Sequence, residues 1–142
     1  MMRLAMTTVC AALACGSAVA KPVFSCTSTT GQLVEISKNA NNEFVYFFGR
    51  KGKPELTFKL PRKAVNIDLG TGFGRYRSYT LVMPTRDATF LIYYNRDSIS
   101  TDAPEAGIDV SIGHKVVRRV NCAKDKPIDE AISGEQPDRP AQ

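Results

Sequence analysis

Glu55-Leu56-Thr57-Phe58-Lys59-Leu60 alternates polar and apolar residues one for one, the period of a β-strand with one buried face and one wet face. The same period returns in Ile108-Asp109-Val110-Ser111-Ile112. Upstream, Phe44-Val45-Tyr46-Phe47-Phe48 is β-branched and aromatic on both faces, as is the stretch 88–94, a composition that suits central strands. Residues 23–27, 32–37, 75–83 and 115–122 read as four further strands. Turn residues punctuate them at Thr30-Gly31, 39–42, 49–54, 84–87 and Gly113-His114. No window carries helical spacing with caps. Eight short strands at this spacing predict an all-β fold for residues 21–122, a single antiparallel β-sandwich or small barrel. The segment 44–48 is the most aggregation-prone. Glu43 on one side and Arg50-Lys51 on the other flank it as gatekeepers, and burial in the core is its expected fate.

The two ends of the chain read differently. Residues 1–20 predict a secretory signal peptide: Arg3 gives the positive start, Leu4 to Ala14 the apolar run, and Ala18-Val19-Ala20 the small residues before cleavage at Lys21. The run is too short for a transmembrane anchor. A rival reading makes Cys15, in Ala12-Leu13-Ala14-Cys15-Gly16, the acylated cysteine of a lipoprotein; the soluble form has the better cleavage site. Residues 123–142, with three prolines, many charges and few apolar groups, predict a disordered tail.

Export leaves Cys26 and Cys122, one near each end of the strand region, and in an oxidising compartment their simplest state is a disulfide. A catalytic thiol is the weaker reading, since there is no C-x-x-C and His114 is the only histidine.

The 142 residues are 43% hydrophobic and 23% charged, which argues against a collagen-like, wholly disordered or multi-pass membrane chain. Residues 21–122 hold 15 basic against nine acidic residues, a net +6, and residues 123–142 a net −2. Catalytic parts are hard to find. His114 lies in a turn, a histidine-based zinc site would need ligands that are missing, and no cofactor is expected. Gly70-Thr71-Gly72-Phe73-Gly74 is not a phosphate loop, because no Lys-Ser/Thr follows and the next segment reads as strand. The acidic residues Asp97, Asp102, Glu105 and Asp109 lack the calcium-loop rhythm. Basic residues give the positive signal. Arg50, Lys51, Lys53, Lys59, Arg62 and Lys63 fall in one loop-strand-loop passage, and Arg75, Tyr76, Arg77 and Tyr79 interleave cation and aromatic. Arg118-Arg119 adds more near the end. On a β-surface such groups suit phosphate, a glycan acid or an acidic partner protein; the competing explanation is that β-domains charge their faces and edges to stay soluble.

The signal peptide, Phe24-Ser25-Cys26, Tyr46-Phe47-Phe48-Gly49, Gly74-Arg75-Tyr76, Ser78-Tyr79 and the closing Val120-Asn121-Cys122 resemble an uncharacterised class of small periplasmic β-proteins of Gram-negative bacteria. The architecture is also similar to the β-barrel inhibitors of c-type lysozyme. Phe24-Ser25-Cys26 matches that family's aromatic-x-Cys start, but its Ser-Gly-x-x-Tyr motif is absent. A basic body would also meet a basic lysozyme with like charge. The resemblance implies residence in the periplasm, or secretion. The sequence thus predicts a non-enzymatic binding module of the periplasm or envelope that docks a protein partner. The alternatives are a binder of envelope polyanions (lipopolysaccharide or an acidic glycan) and a lysozyme-inhibitor-like protein. Nucleic acid is not an expected partner.

Overall fold

The computed structural model describes residues 20–70 and 75–135. Among the described residues, ten strands form two antiparallel sheets of five. In the first, β1 (Lys21–Thr27), β2 (Leu33–Lys38), β3 (Glu43–Arg50) and β4 (Lys53–Pro61) pair with their sequence neighbours through hairpins. A 3-10 turn at Arg62–Ala64 carries the chain to the second sheet. There β5 (Asn66–Gly70), β6 (Tyr76–Pro84), β7 (Thr89–Asp97), β8 (Glu105–Ile112) and β9 (Lys115–Asn121) again pair in order. Finally β10 (Ile128–Glu130) returns to the first sheet beside β1. The result is an all-β, sandwich-like meander whose last strand closes back on its first.

Local chemistry makes the turns. Asn39 accepts hydrogen bonds at Oδ1 from the backbone N–H of Asn41 and of Glu43, each at 3.0 Å, and Asn42 takes the left-handed conformation at φ 58°. Thr85 Oγ1 donates to the Ala88 carbonyl at 2.7 Å and accepts from its N–H at 3.1 Å, closing the β6–β7 turn. Gly49 has φ +144° at a β-bulge against β4; a Cβ there would stand 2.6 Å from the Glu55 nitrogen, so only glycine fits.

Strand alternation then assembles one core. Phe24, Ile36, Tyr46 and Phe58 form a cross-strand row on the inner face of the first sheet. Ile67, Leu81, Ile92, Ile108 and Val120 form the matching row on the second, every one of them buried. Each fully buried side chain of this size stabilises the fold by about 1.5–3 kcal/mol before conformational entropy is counted.

How the sheets cross follows from two contacts of β9 and its end. Cys122 is disulfide-bonded to Cys26 of β1, and the Arg118 guanidinium lies 4.9 Å from the centroid of the Phe48 ring on β3. Cys26, Val34 and Phe48 are neighbours in a single cross-strand row. The end of the second sheet therefore runs across β1–β3 rather than along them, the orthogonal kind of sheet packing. The same corner is stitched by backbone bonds, Thr29 N–H to the Asn121 carbonyl at 2.9 Å and Ala123 N–H to the Thr27 carbonyl at 2.8 Å.

Several expectations need correction. Among the described residues there are ten strands where about eight were expected, the additional ones being β5 and β10. Leu56 is 41% exposed and Ile112 57%, although each holds an apolar place in its alternating segment. Leu56 lies on the edge strand β4, and Ile112 ends β8 at a hairpin tip, so each lacks covering neighbours. Residues 123–135 are not a disordered tail. β10 pairs with β1, the Ala131 N–H donates to the Val23 carbonyl at 2.8 Å, and Ile132 is fully buried against β5 and β6. Glu135, its side chain only 5% exposed, accepts a hydrogen bond from Lys38 Nζ at 2.9 Å. The expectations for residues 136–142, for the signal peptide up to residue 19, for Cys15 and for the glycine loop 71–74 lie outside the described residues.

Candidate anion-binding site

The second sheet places two arginines side by side. In the β6–β7 ladder Met83 faces Phe90, Leu81 faces Ile92, Tyr79 faces Tyr94 and Arg77 faces Arg96. Side chains alternate along a strand, so these four pairs share the core-directed face. Three of them lie within or against the core, and Tyr79 and Tyr94 stack with ring centroids 6.0 Å apart and planes 13° apart. The fourth runs past the core into solvent, and both arginines are exposed. Directly opposed residues have Cβ atoms about 4.5–5.5 Å apart, where like charges repel and weaken the sheet. Among the described residues neither arginine has an acidic partner. A phosphate, sulfate or carboxylate group placed between two such guanidinium forks would relieve the repulsion and could accept hydrogen bonds from both, which makes the pair a candidate anion site.

The other basic residues singled out from sequence do not gather there. Arg50, Lys51 and Lys53 surround the β3–β4 turn, while Arg62 and Lys63 form the 3-10 turn at the far end of β4. Nine residues of strand separate those groups by about 26–30 Å. Lys59 lies between them, 4.0 Å from Glu43, and Arg62 donates to the Val65 carbonyl at 2.8 Å. Arg75 is occupied: its Nε is 3.2 Å from Asp97, its Nη2 donates to the Tyr76 hydroxyl at 3.1 Å, and its guanidinium stands 5.1 Å from that ring centroid. The hydrogen bond to Tyr76 and the charge of Asp97 raise its pKa further. Arg77 and Tyr79 are among the residues singled out from the sequence. Their partners Arg96 and Tyr94 were missed, because the pairing is set by strand register across the β6–β7 hairpin. The available signal was the matched order Arg-x-Tyr in one strand and Tyr-x-Arg in the next.

Several acidic side chains are already paired. Asp109 accepts from Arg119 Nε at 2.7 Å and Nη2 at 3.1 Å, and Glu105 lies 3.6 Å from Lys124. Tyr93 lies beside that pair, its hydroxyl donating to Asn121 Oδ1 at 3.3 Å. Partial burial, then the Asp109 charge, push its pKa up. Its ring crosses Gly107, where a Cβ would meet the Tyr93 hydroxyl oxygen at 2.8 Å and the Val120 carbonyl oxygen at 2.3 Å. Among the described residues no three His, Cys, Asp or Glu side chains gather as metal ligands, and no helix is long and apolar enough to cross a membrane. His114 stands exposed in the β8–β9 turn. Comparison with protein-family models, with curated proteins and with solved structures returns no match in any of the three.

Proposed function

We propose that this chain is an exported, non-enzymatic binding module that holds the acidic groups of a cell-envelope polyanion. The observation that carries the reading is the Arg77–Arg96 pair, two like charges directly opposed without an acidic partner among the described residues. The formed Cys26–Cys122 bridge supports an oxidising compartment. The test is binding of purified lipopolysaccharide and of an acidic polysaccharide across a salt series. Affinity should fall steeply with ionic strength, and Arg77→Ala/Arg96→Ala should remove most of it while Arg50→Ala/Lys51→Ala has little effect. Salt-insensitive binding, or equal losses in both double variants, would overturn the proposal.

A protein partner is favoured by a separate observation. Val116 and Val117 are exposed on the edge strand β9, and Ile112 is exposed at the end of β8 in the same hairpin. Pull-down from envelope extracts with the wild-type chain and Val116→Glu/Val117→Glu decides it: a partner lost in the variant supports docking there, and one retained counts against it.

A further inference from the structure

We infer that β9 is an open sheet edge that takes in a short extended segment of an acidic partner protein as an added antiparallel strand. The inference deepens the protein-partner reading and rests on it. An edge strand presents a row of backbone N–H and C=O groups, and proteins blunt such edges with proline, with shortness or with charge. Among the described residues the other three edges are blunted in the first two ways: β4 carries Pro54 and Pro61, β5 has five residues and β10 has three. β9 has seven residues and no proline, and its sequence Lys-Val-Val-Arg-Arg-Val-Asn is exposed at every position but Val120.

The parity of the ladder marks the open stretch. The Cys122 N–H donates to the Ala106 carbonyl at 2.9 Å, so the alternate residues Val120 and Arg118 also bond toward β8, while Arg119 and Asn121 turn their backbone groups outward. Asn121 accepts there from the Thr29 N–H at 2.9 Å, which closes that end of the edge. From Arg119 back to Lys115 no outward backbone bond is made among the described residues. Five residues span roughly 16 Å. The β-bulge opposite Val110 and Ser111 twists the far part of this stretch, which keeps the added strand short.

Charge decides the occupant. Lys115, Arg118 and Arg119 all lie in the open stretch, and among the described residues only Arg119 has an acidic partner, Asp109. A second copy paired antiparallel about Val117 would set Lys115 against Arg119, and directly opposed like charges weaken a ladder. The charges that turn away a second copy attract a segment carrying carboxylates at those places. Val116, 45% exposed, and Val117, 52% exposed, give its apolar side chains area to bury. Main-chain bonds then supply affinity, and the alternating side chains supply specificity.

The experiment is NMR titration of the full mature chain with three eight-residue peptides: one alternating glutamate with valine, one alternating lysine with valine, and the glutamate peptide methylated at every backbone nitrogen. The glutamate peptide should shift the amides of residues 115–119 and slow hydrogen exchange at Arg119. The lysine and methylated peptides should bind at least about tenfold more weakly, and Lys115→Gln/Arg118→Gln should weaken the glutamate peptide by about fivefold. If the methylated peptide binds as tightly as its parent, charge alone attracts it and no strand is added. Equal binding of the lysine peptide would overturn the acidic occupant. A dimer of the chain alone that Val116→Glu/Val117→Glu dissociates in sedimentation would give the edge to a second copy and overturn the inference. If no peptide binds, yet an envelope partner is lost in Val116→Glu/Val117→Glu, strand addition fails and the protein-partner reading stands. If that variant retains every partner, the reading fails and the inference with it.

Discussion

Tyr46 packs its ring on Phe58, with centroids 4.7 Å apart, and tilts against Phe90 at 5.1 Å. Burial pushes its phenol up to about 12, opposed in part by the Arg118 charge. In the unfolded chain a tyrosine titrates near 10. The folded pKa is raised, so the unfolded state releases the proton first as pH rises. The stabilisation is complete below pH 10 and is lost between about pH 10 and 12, on the order of 2–3 kcal/mol in all. Tyr46→Phe removes the titrating group. Denaturant unfolding at pH 9 and pH 11.5 should show a smaller alkaline loss in the variant than in the wild type, and equal losses would contradict the assignment. At this scale the sequence was readable for chemistry and silent on juxtaposition. Cys26 and Cys122 had few alternatives once export was inferred. Arg96 beside Arg77 and Arg118 over Phe48 depend on register and on sheet crossing, which no local pattern encodes.

Among elements, the strands with clean alternation and recognisable turns were legible, and β3 and β7 fall where their aromatic and β-branched runs placed them. β5 carried the same signal in Asn66-Ile67-Asp68-Leu69 and was passed over because it is only five residues long and leads into glycines. β10 is a different case. Its three residues, Ile128-Asp129-Glu130, have no period of their own, and the segment is ordered by what it reaches. It adds a rung beside β1, drops Ile132 into the core against β5 and β6, and pairs Glu135 with Lys38. A composition argument against order cannot see one isoleucine filling a cavity at the end of a sandwich. Ile132→Ala should therefore destabilise the fold by about 2–5 kcal/mol in denaturant unfolding. A residue in a free tail would change it by less than about 0.5 kcal/mol, and that result would return residues 128–135 to the solvent.

The whole molecule depends on how two sheets are kept together at their corners. One corner is covalent through the 3-10 turn between β4 and β5. The other is the junction of β1 with the end of β9, where a disulfide spanning 96 residues of sequence sits among cross-sheet backbone bonds. In the chain-entropy picture a loop of that length contributes about 4–5 kcal/mol. Cys26→Ala/Cys122→Ala should lower the melting temperature by about 10–20 °C, read by calorimetry under non-reducing conditions. An unchanged midpoint would mean that the corner is held by packing alone. Anchoring that corner also fixes the end of the second sheet where β6 and β7 present Arg77 and Arg96, so the rigidity of the fold and the geometry of the candidate site have one source.

The claim on which the functional account turns is that these two arginines form one anion site. NMR of their side-chain Nε–H groups during titration with inorganic sulfate addresses it directly, with Arg50 and Arg86 as exposed internal references. The account predicts saturable shifts at Arg77 and Arg96 together, lost at Arg77 when Arg96→Ala is introduced. Shifts of equal size at all four arginines, or a response of Arg77 that survives Arg96→Ala unchanged, would contradict it.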